Sequence, residues 1–155
     1  MNDVVLILHN IRSMYNVGAI FRTADGVGVS HVYLSGYTPL PVDRFNRPRK
    51  DIAKTALGAE MSVPWSASKN ISSLIARLKK EGYTIVGLEQ DERAVDYRSV
   101  PKKEKVALLA GNEVRGISPQ LREKCDVLME IPMRGEKESL NVSVAAGIAL
   151  YALAG

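Results

Sequence analysis

IPMRGEKESLNVSVAAGIALYAL, residues 131–153, runs from an apolar end at Ile131 and Pro132 through a polar, glycine-containing loop to Ser139 and Asn141, after which almost every residue is apolar or small. That order reads as strand, loop, helix N-terminus and buried helix. The first N–H groups of a helix have no partners within it, so Ser139 or Asn141 can cap the helix or face a ligand. Beyond them Val142, Val144, Ala145, Ile148, Ala149, Leu150 and Leu153 cover more of the circumference than one apolar stripe, which predicts burial on several sides. The covering surface is either the same domain or a second subunit.

Working back from this stretch, short apolar runs alternate with helical patterns. Val127–Ile131 reads as the last strand, and Ser118-Pro119 as the N-cap and first position of a helix ending near Lys124. Val106–Ala110, Thr84–Leu88, His31–Leu34 and Val4–Leu8 are further strands, the last a continuous apolar run of the kind buried on both faces of a parallel sheet. Val17, Ile20, Phe21 and Ala24 follow one helix face, with Asn16 just before them and Gly26 and Gly28 available to end the helix. Ile71, Leu74, Ile75 and Leu78 form another apolar stripe, with Lys79 and Lys80 in the last turn and Gly82 after it. Residues 36–65 hold four of the seven prolines, which predicts an irregular loop, a short helical piece and a brief strand around Ser62; residues 91–105 read as a charged connection. Strands alternating with helices define an α/β fold with a mainly parallel sheet, whose ligands bind beyond the carboxyl ends of the strands. The loops after Leu88, Ala110 and Ile131 are therefore the candidate site.

Composition sets the outer bounds. With 155 residues the chain reads as one domain, 1–155, able to bury roughly 70% of its unfolded surface without staples. One cysteine, Cys125, excludes an internal disulfide, and with only His9 and His31 beside it no structural zinc site is expected. No run approaches the length of a membrane span and the N-terminus has no basic leader, so a cytoplasmic protein is expected. Between residues 44 and 54, Arg44, Arg47, Arg49, Lys50 and Lys54 face one anion, Asp51, a local excess equal to the net charge of +4 for the whole chain. Such a loop is an electrostatic footprint for phosphate.

The motif readings narrow the chemistry. Residues 111–118, GNEVRGIS, have the glycine spacing and final Ser of a P-loop, but Ile117 stands where its phosphate-binding lysine belongs. Glu113 puts a carboxylate in that turn, where it repels phosphates and suits holding an arginine or orienting a polar ligand. No G-x-G-x-x-G follows a predicted strand, and no G-x-S-x-G elbow supports a serine hydrolase.

Three blocks, NVGAIFRTAD (16–25), GNEVRGIS (111–118) and IPMRGEKESLNVSVAA (131–146), resemble in order the three motifs of the SpoU-TrmH class of SPOUT RNA methyltransferases, and KTALGAEMSVP (54–64) resembles the middle of that family. The likeness spans nearly the whole chain. It implies an S-adenosylmethionine-dependent enzyme methylating a ribose 2′-hydroxyl in tRNA or rRNA, without a metal, as a homodimer whose C-terminal part forms a deep trefoil knot. The knot comes from the resemblance alone, since general topology rules argue against threading. By the same resemblance the cofactor sits in a bent form among the loops near Leu88, Gly111, Asn112, Gly116, Ile131, Met133, Ser139, Leu140 and Asn141. Arg22 lies at the reacting hydroxyl, with Asn16, Glu113, Ser139 and Asn141 completing the catalytic set. Because an arginine stays protonated up to a pKa above about 12, charge stabilisation of a developing alkoxide and phosphate binding suit Arg22 better than a base role. RNA contacts are expected from Arg22, Arg44, Arg47, Arg49, Lys50 and Lys54.

The chain's length resembles the small relatives that modify the tRNA wobble position, while its third motif is equally similar to those of the tRNA D-loop and large-subunit rRNA enzymes. Two rivals follow: a knotted RNA-binding protein without turnover, and an unrelated α/β nucleotide-binding enzyme.

Overall fold

The computed structural model describes residues 1–155. It is built on seven strands: β1 (Asp3–His9), β2 (His31–Ser35), β3 (Trp65–Ser68), β4 (Thr84–Leu88), β5 (Val95–Asp96), β6 (Lys105–Ala110) and β7 (Val127–Glu130). Their order across the sheet is β3-β2-β1-β6-β4-β7-β5, and every pairing is parallel. Six helices connect them: α1 (Met14–Val27), α2 (Lys50–Ala56), α3 (Ala59–Ser62), α4 (Ile71–Lys80), α5 (Pro119–Lys124) and α6 (Val142–Leu153).

The pleat distributes the strand side chains to two cores. Val4, Leu6 and Leu8 of β1 pack with α1, α2, α3 and α6, whereas Val5 and Ile7 pack with α4 and α5 on the opposite face. Both faces of the central strands are thus covered, which is why they read as continuous apolar runs rather than alternating ones. The helix ends follow local chemistry. Ser13 caps α1 by accepting from the N–H of Asn16 at 3.2 Å, Asn70 caps α4, and Ser118 caps α5 with Pro119 following.

Asn16 lies in the first turn of α1, for which Ser13 is the cap. Two expectations are corrected. Ser62 ends α3, and the strand comes three residues later at Trp65, after Pro64 has prevented the helix from continuing. The charged connection contains β5 and a 3-10 turn at Tyr97–Ser99, organised by Asp96, whose carboxylate accepts from the N–H and side chain of Arg98. Within one chain α6 buries Ala146, Ala149, Leu150 and Leu153 and leaves Val144 and Tyr151 50% and 61% exposed, so the same domain covers only part of its apolar surface. No helix is long and apolar enough to cross a membrane.

The chain leaves β1 toward β2 and β3, then crosses back to build β4, β6 and β7 on the other side of β1. The sheet order therefore reverses between β1 and β6. At such a switch the loops leaving two neighbouring strands diverge and open a crevice at their carboxyl ends.

Candidate active site

A cleft of about 280 Å³ opens to one side of that switch, beyond the carboxyl ends of β6, β4 and β7 and between the loops that follow them. Leu88, Gly111, Asn112, Glu113, Gly116, Ile131, Ser139 and Leu140, all singled out from the sequence, line it. Met133 and Asn141 do not. Asn141 is instead the N-cap of α6, its Oδ1 accepting from the N–H of Ser143 at 2.8 Å and from the Ser143 hydroxyl at 2.6 Å. Of the two candidate caps, then, Asn141 serves the helix and Ser139 faces the cleft.

The floor of the cleft is set by a turn that leaves no room for larger residues. A Cβ on Gly111 would sit 2.7 Å from the backbone carbon and oxygen of Gly116. The side chain of Asn112 is buried (9% exposed) and fully engaged. Its Oδ1 accepts from the N–H groups of Val114 and Arg115, and its amide donates to the carbonyl of Asn10 and the hydroxyl of Tyr37. Asn112 thereby ties the turn after β6 to the turns after β1 and β2. On the other side Glu89 accepts from the N–H of Ile117 at 2.7 Å and lies over Gly116, whose positive φ of 66° favours glycine.

Glu113 joins this turn to α1. Its carboxylate accepts from the N–H of Arg12 at 3.0 Å, the N–H of Ser13 at 2.9 Å and the amide of Asn16 at 3.2 Å. These are donors at a helix N-terminus, where negative charge is favoured. Burial pushes the Glu113 carboxyl up, but the N–H groups of Arg12, Ser13 and Glu113 itself and the Asn16 amide together outweigh it and hold the group below the usual glutamate range. With its amide committed to Glu113, Asn16 keeps Oδ1 as an unpaired acceptor, and the Ser139 hydroxyl is likewise unpaired.

Charge in the cleft is distinctive. Glu89, Glu113, Glu130 and Glu138 line it against one cation, Arg115. Glu89, Glu130 and Glu138 were not singled out from the sequence. Glu89 directly follows the predicted strand end at Leu88, so the rule of searching beyond carboxyl ends reaches it, whereas Glu138 is brought in by the path of the loop, where its carbonyl accepts from Gln90 at 2.8 Å. No group of three or more His, Cys, Asp or Glu side chains is arranged to hold a metal ion.

Arg22 does not reach this cleft. It lies on α1 six residues beyond Asn16, about 9 Å along the helix axis, and lines a separate open depression with Ala19, Thr23, Gly26, Lys54, Thr55, Leu57 and Tyr151. The exposed Leu57 and Tyr151 bring α2 and α6 to the same surface as Arg22. The other cations divide: Arg44 and Arg47 sit over the ring of Phe45, Arg47 is paired to Asp43 at 3.0 Å, Arg49 is the N-cap residue of α2 and Lys50 begins that helix. Cys125 packs beside Gly87 at the underside of β4, and burial pushes its thiol up to about 11, so it is an inert packing group.

A parallel α/β sheet with a glutamate-lined cleft beyond the carboxyl ends of its strands is the architecture of a ligand-binding α/β domain. The sequence profile of the SpoU rRNA Methylase family matches residues 3–151, and the chain belongs to that family. A protein of Staphylococcus haemolyticus assigned to the TrmH family of tRNA/rRNA methyltransferases is 37% identical over 149 residues, 96% of this chain and 57% of its own length. The chain thus spans little more than half of the curated relatives it matches. Among solved structures, an S-adenosylmethionine-bound rRNA methyltransferase from Sinorhizobium meliloti superposes with a TM-score of 0.87 at 30% identity, covering 97% of this chain and 55% of that one. A TrmH/SpoU tRNA modifying enzyme from A. aeolicus gives 0.85 at 30% identity over 99% of this chain and 74% of that one.

Proposed function

We propose that this chain is an S-adenosylmethionine-dependent RNA methyltransferase that acts on a ribose 2′-hydroxyl of tRNA or rRNA as a homodimer in the cytoplasm. The observation that carries the proposal is the composition of the cleft. Four glutamates against one arginine, even with Glu113 held by the start of α1 and Glu89 bonded to Ile117, give the cleft a negative lining that disfavours a nucleoside triphosphate and favours a ligand bearing a sulfonium and an ammonium group. Leu88, Ile131, Leu140, Val142 and Ala145 add an apolar wall suited to a purine, and the open backbone at Gly111 lets such a ring approach closely. The residues present therefore fit this cofactor.

When bound, S-adenosylmethionine supplies a methyl group on a sulfonium sulfur, which the ribose oxygen displaces. The protein's part is to position and to stabilise. Glu113 fixes Asn16 so that its free Oδ1 can accept from the ribose hydroxyl, and Ser139 offers a second polar group at the cleft edge. Arg22 serves the negative charge that develops on the oxygen as its proton passes to solvent water, a role for a fixed cation rather than a base.

The separation of Arg22 from the cleft within one chain supports the dimer. Leu57 and Tyr151 are exposed apolar residues that line the Arg22 depression, and Val144, two turns before Tyr151 on α6, extends the exposed apolar face of that helix. A second copy packed there covers these residues and brings Arg22 of one subunit toward the cleft of the other. The family's deep C-terminal knot belongs to the same proposal, with α6 packed against the strands β4 and β6 that carry the cleft.

Titration calorimetry tests the cofactor assignment. Binding of S-adenosylmethionine with no detectable heat from ATP is expected; the reverse order of affinity returns the protein to the nucleotide-binding enzymes.

A further inference from the structure

Residues 42–48 form a small, self-supporting loop on the carboxyl-end side of the sheet, and its tip is an aromatic ring. Asp43 is the organiser. Its carboxylate accepts from the N–H of Phe45 at 2.8 Å and of Arg47 at 3.0 Å, its carbonyl accepts from Asn46, and its N–H donates to the carbonyl of Arg47. Asn46 adopts a positive φ of 62°, and a bridge between Val42 and Pro48 closes the base. The loop therefore has a fixed shape without packing Phe45 into anything.

Phe45 is 63% exposed, although phenylalanine is ordinarily a core residue. The guanidinium carbons of Arg44 and Arg47 each lie 4.9 Å from its ring centroid. The two arginines are not equivalent. Arg47 is anchored to Asp43 through Nε at 3.0 Å, whereas Arg44 makes no ion pair or hydrogen bond. A rigidly held aromatic ring bordered by one fixed and one movable guanidinium is what a nucleotide needs: a flat apolar surface for the base and a cation free to turn to the phosphate. Lys50 and Lys54 lie one turn apart on α2, and Lys54 shares the depression of Arg22, so cations continue from the loop toward that residue.

Resting on the RNA-methyltransferase reading above, we propose that Phe45 is a base-stacking platform that captures an unpaired nucleotide of the RNA substrate, with Arg44 swinging from the ring to the adjoining phosphate. The platform selects single-stranded or loop nucleotides over duplex, because paired bases do not offer a free face. It acts as a positioning element and does not line the cofactor cleft.

The test uses the full chain and an RNA hairpin carrying 2-aminopurine in its loop, with a fully paired duplex of the same stem as control. Wild-type protein is expected to bind the hairpin more tightly than the duplex and to change the loop fluorescence. Phe45→Ala is expected to weaken hairpin binding roughly tenfold or more, leave duplex binding and the salt dependence unchanged, and abolish the fluorescence change. Phe45→Trp retains all three. Arg44→Ala lowers the slope of log affinity against log salt by about 1. Hairpin binding by Phe45→Ala within twofold of wild type, an equal loss on the duplex, or no hairpin binding by the wild type each overturns the proposal. Calorimetry with S-adenosylmethionine on the same samples reads the enzyme assignment separately: retained cofactor binding with no effect of Phe45→Ala sinks the platform alone, whereas lost cofactor binding in the wild type sinks the enzyme reading. Thermal melting of each variant shows whether it is folded.

Discussion

Replacing Glu113 by Gln removes one charge and one acceptor at the point where the turn after β6 meets the start of α1. The native carboxylate receives three donors, two on one oxygen and one on the other. A glutamine has a single acceptor oxygen, so at least one backbone N–H or the Asn16 amide faces an NH₂ group instead. A donor left without a partner costs about 1–3 kcal/mol when buried, and partial solvation of this site places the loss at about 1–2 kcal/mol. In a domain of this size that lowers Tm by roughly 2–8 °C. The pH dependence adds a sharper criterion. Because the folded carboxyl lies below its ordinary value, its stabilisation is complete above the unfolded glutamate pKa and disappears as pH falls through the folded one. Urea unfolding of wild type and Glu113→Gln is the assay, run at neutral pH and at successively lower pH. The difference between the two proteins should be about 1–2 kcal/mol at neutral pH and shrink toward zero in acid, as the native group becomes neutral like its replacement. Equal stability at neutral pH, or a gap that persists after acidification, refutes this role for Glu113.

Three further outcomes follow from other parts of the structure. Gly111→Ala drives a methyl group against the backbone of Gly116 at 2.7 Å; it should cost about 1–3 kcal/mol of stability and weaken S-adenosylmethionine binding at least tenfold by calorimetry. Tyr151→Asp, on the exposed face of α6, should convert a dimer to a folded monomer in sedimentation velocity and remove methyl transfer, whereas an unchanged sedimentation coefficient contradicts the proposed dimer face. Cys125, with its thiol pushed up to about 11, should resist iodoacetamide at neutral pH in the folded protein and react only after denaturation.

Much of the fold was legible because the strands of a doubly covered sheet announce themselves as unbroken apolar runs: Thr84–Leu88 matches β4 residue for residue, and the Ile71–Lys80 helix is bounded as its stripe and basic last turn indicate. Elements without such a signal were missed. The two-residue strand β5 gains its identity from pairing with Met129 and Glu130, a contact that no local pattern encodes. Ser62 stands beside Val63 and Pro64 in a stretch that looks extended, yet tertiary contact with α1 holds the preceding residues in α3. The site divides in the same way. Its three loops were found from strand ends, whereas the joining of Asn16 to Glu113 depends on the sheet order that sets β1 beside β6. The apolar character of α6 reads as burial on several sides; within one chain Val144 and Tyr151 stay open, and a sequence does not distinguish a residue covered by its own chain from one covered by another copy.

Transfer of label from S-adenosylmethionine to RNA, followed by digestion to nucleosides, addresses the proposed activity most directly. Label is expected in 2′-O-methylated nucleosides, with Arg22→Ala reducing transfer roughly 100-fold or more while binding S-adenosylmethionine within twofold of wild type. Label on a base, no transfer to any RNA, or loss of cofactor binding in parallel with turnover in Arg22→Ala would contradict the assignment of a ribose methyltransferase that uses Arg22 to stabilise the reacting oxygen.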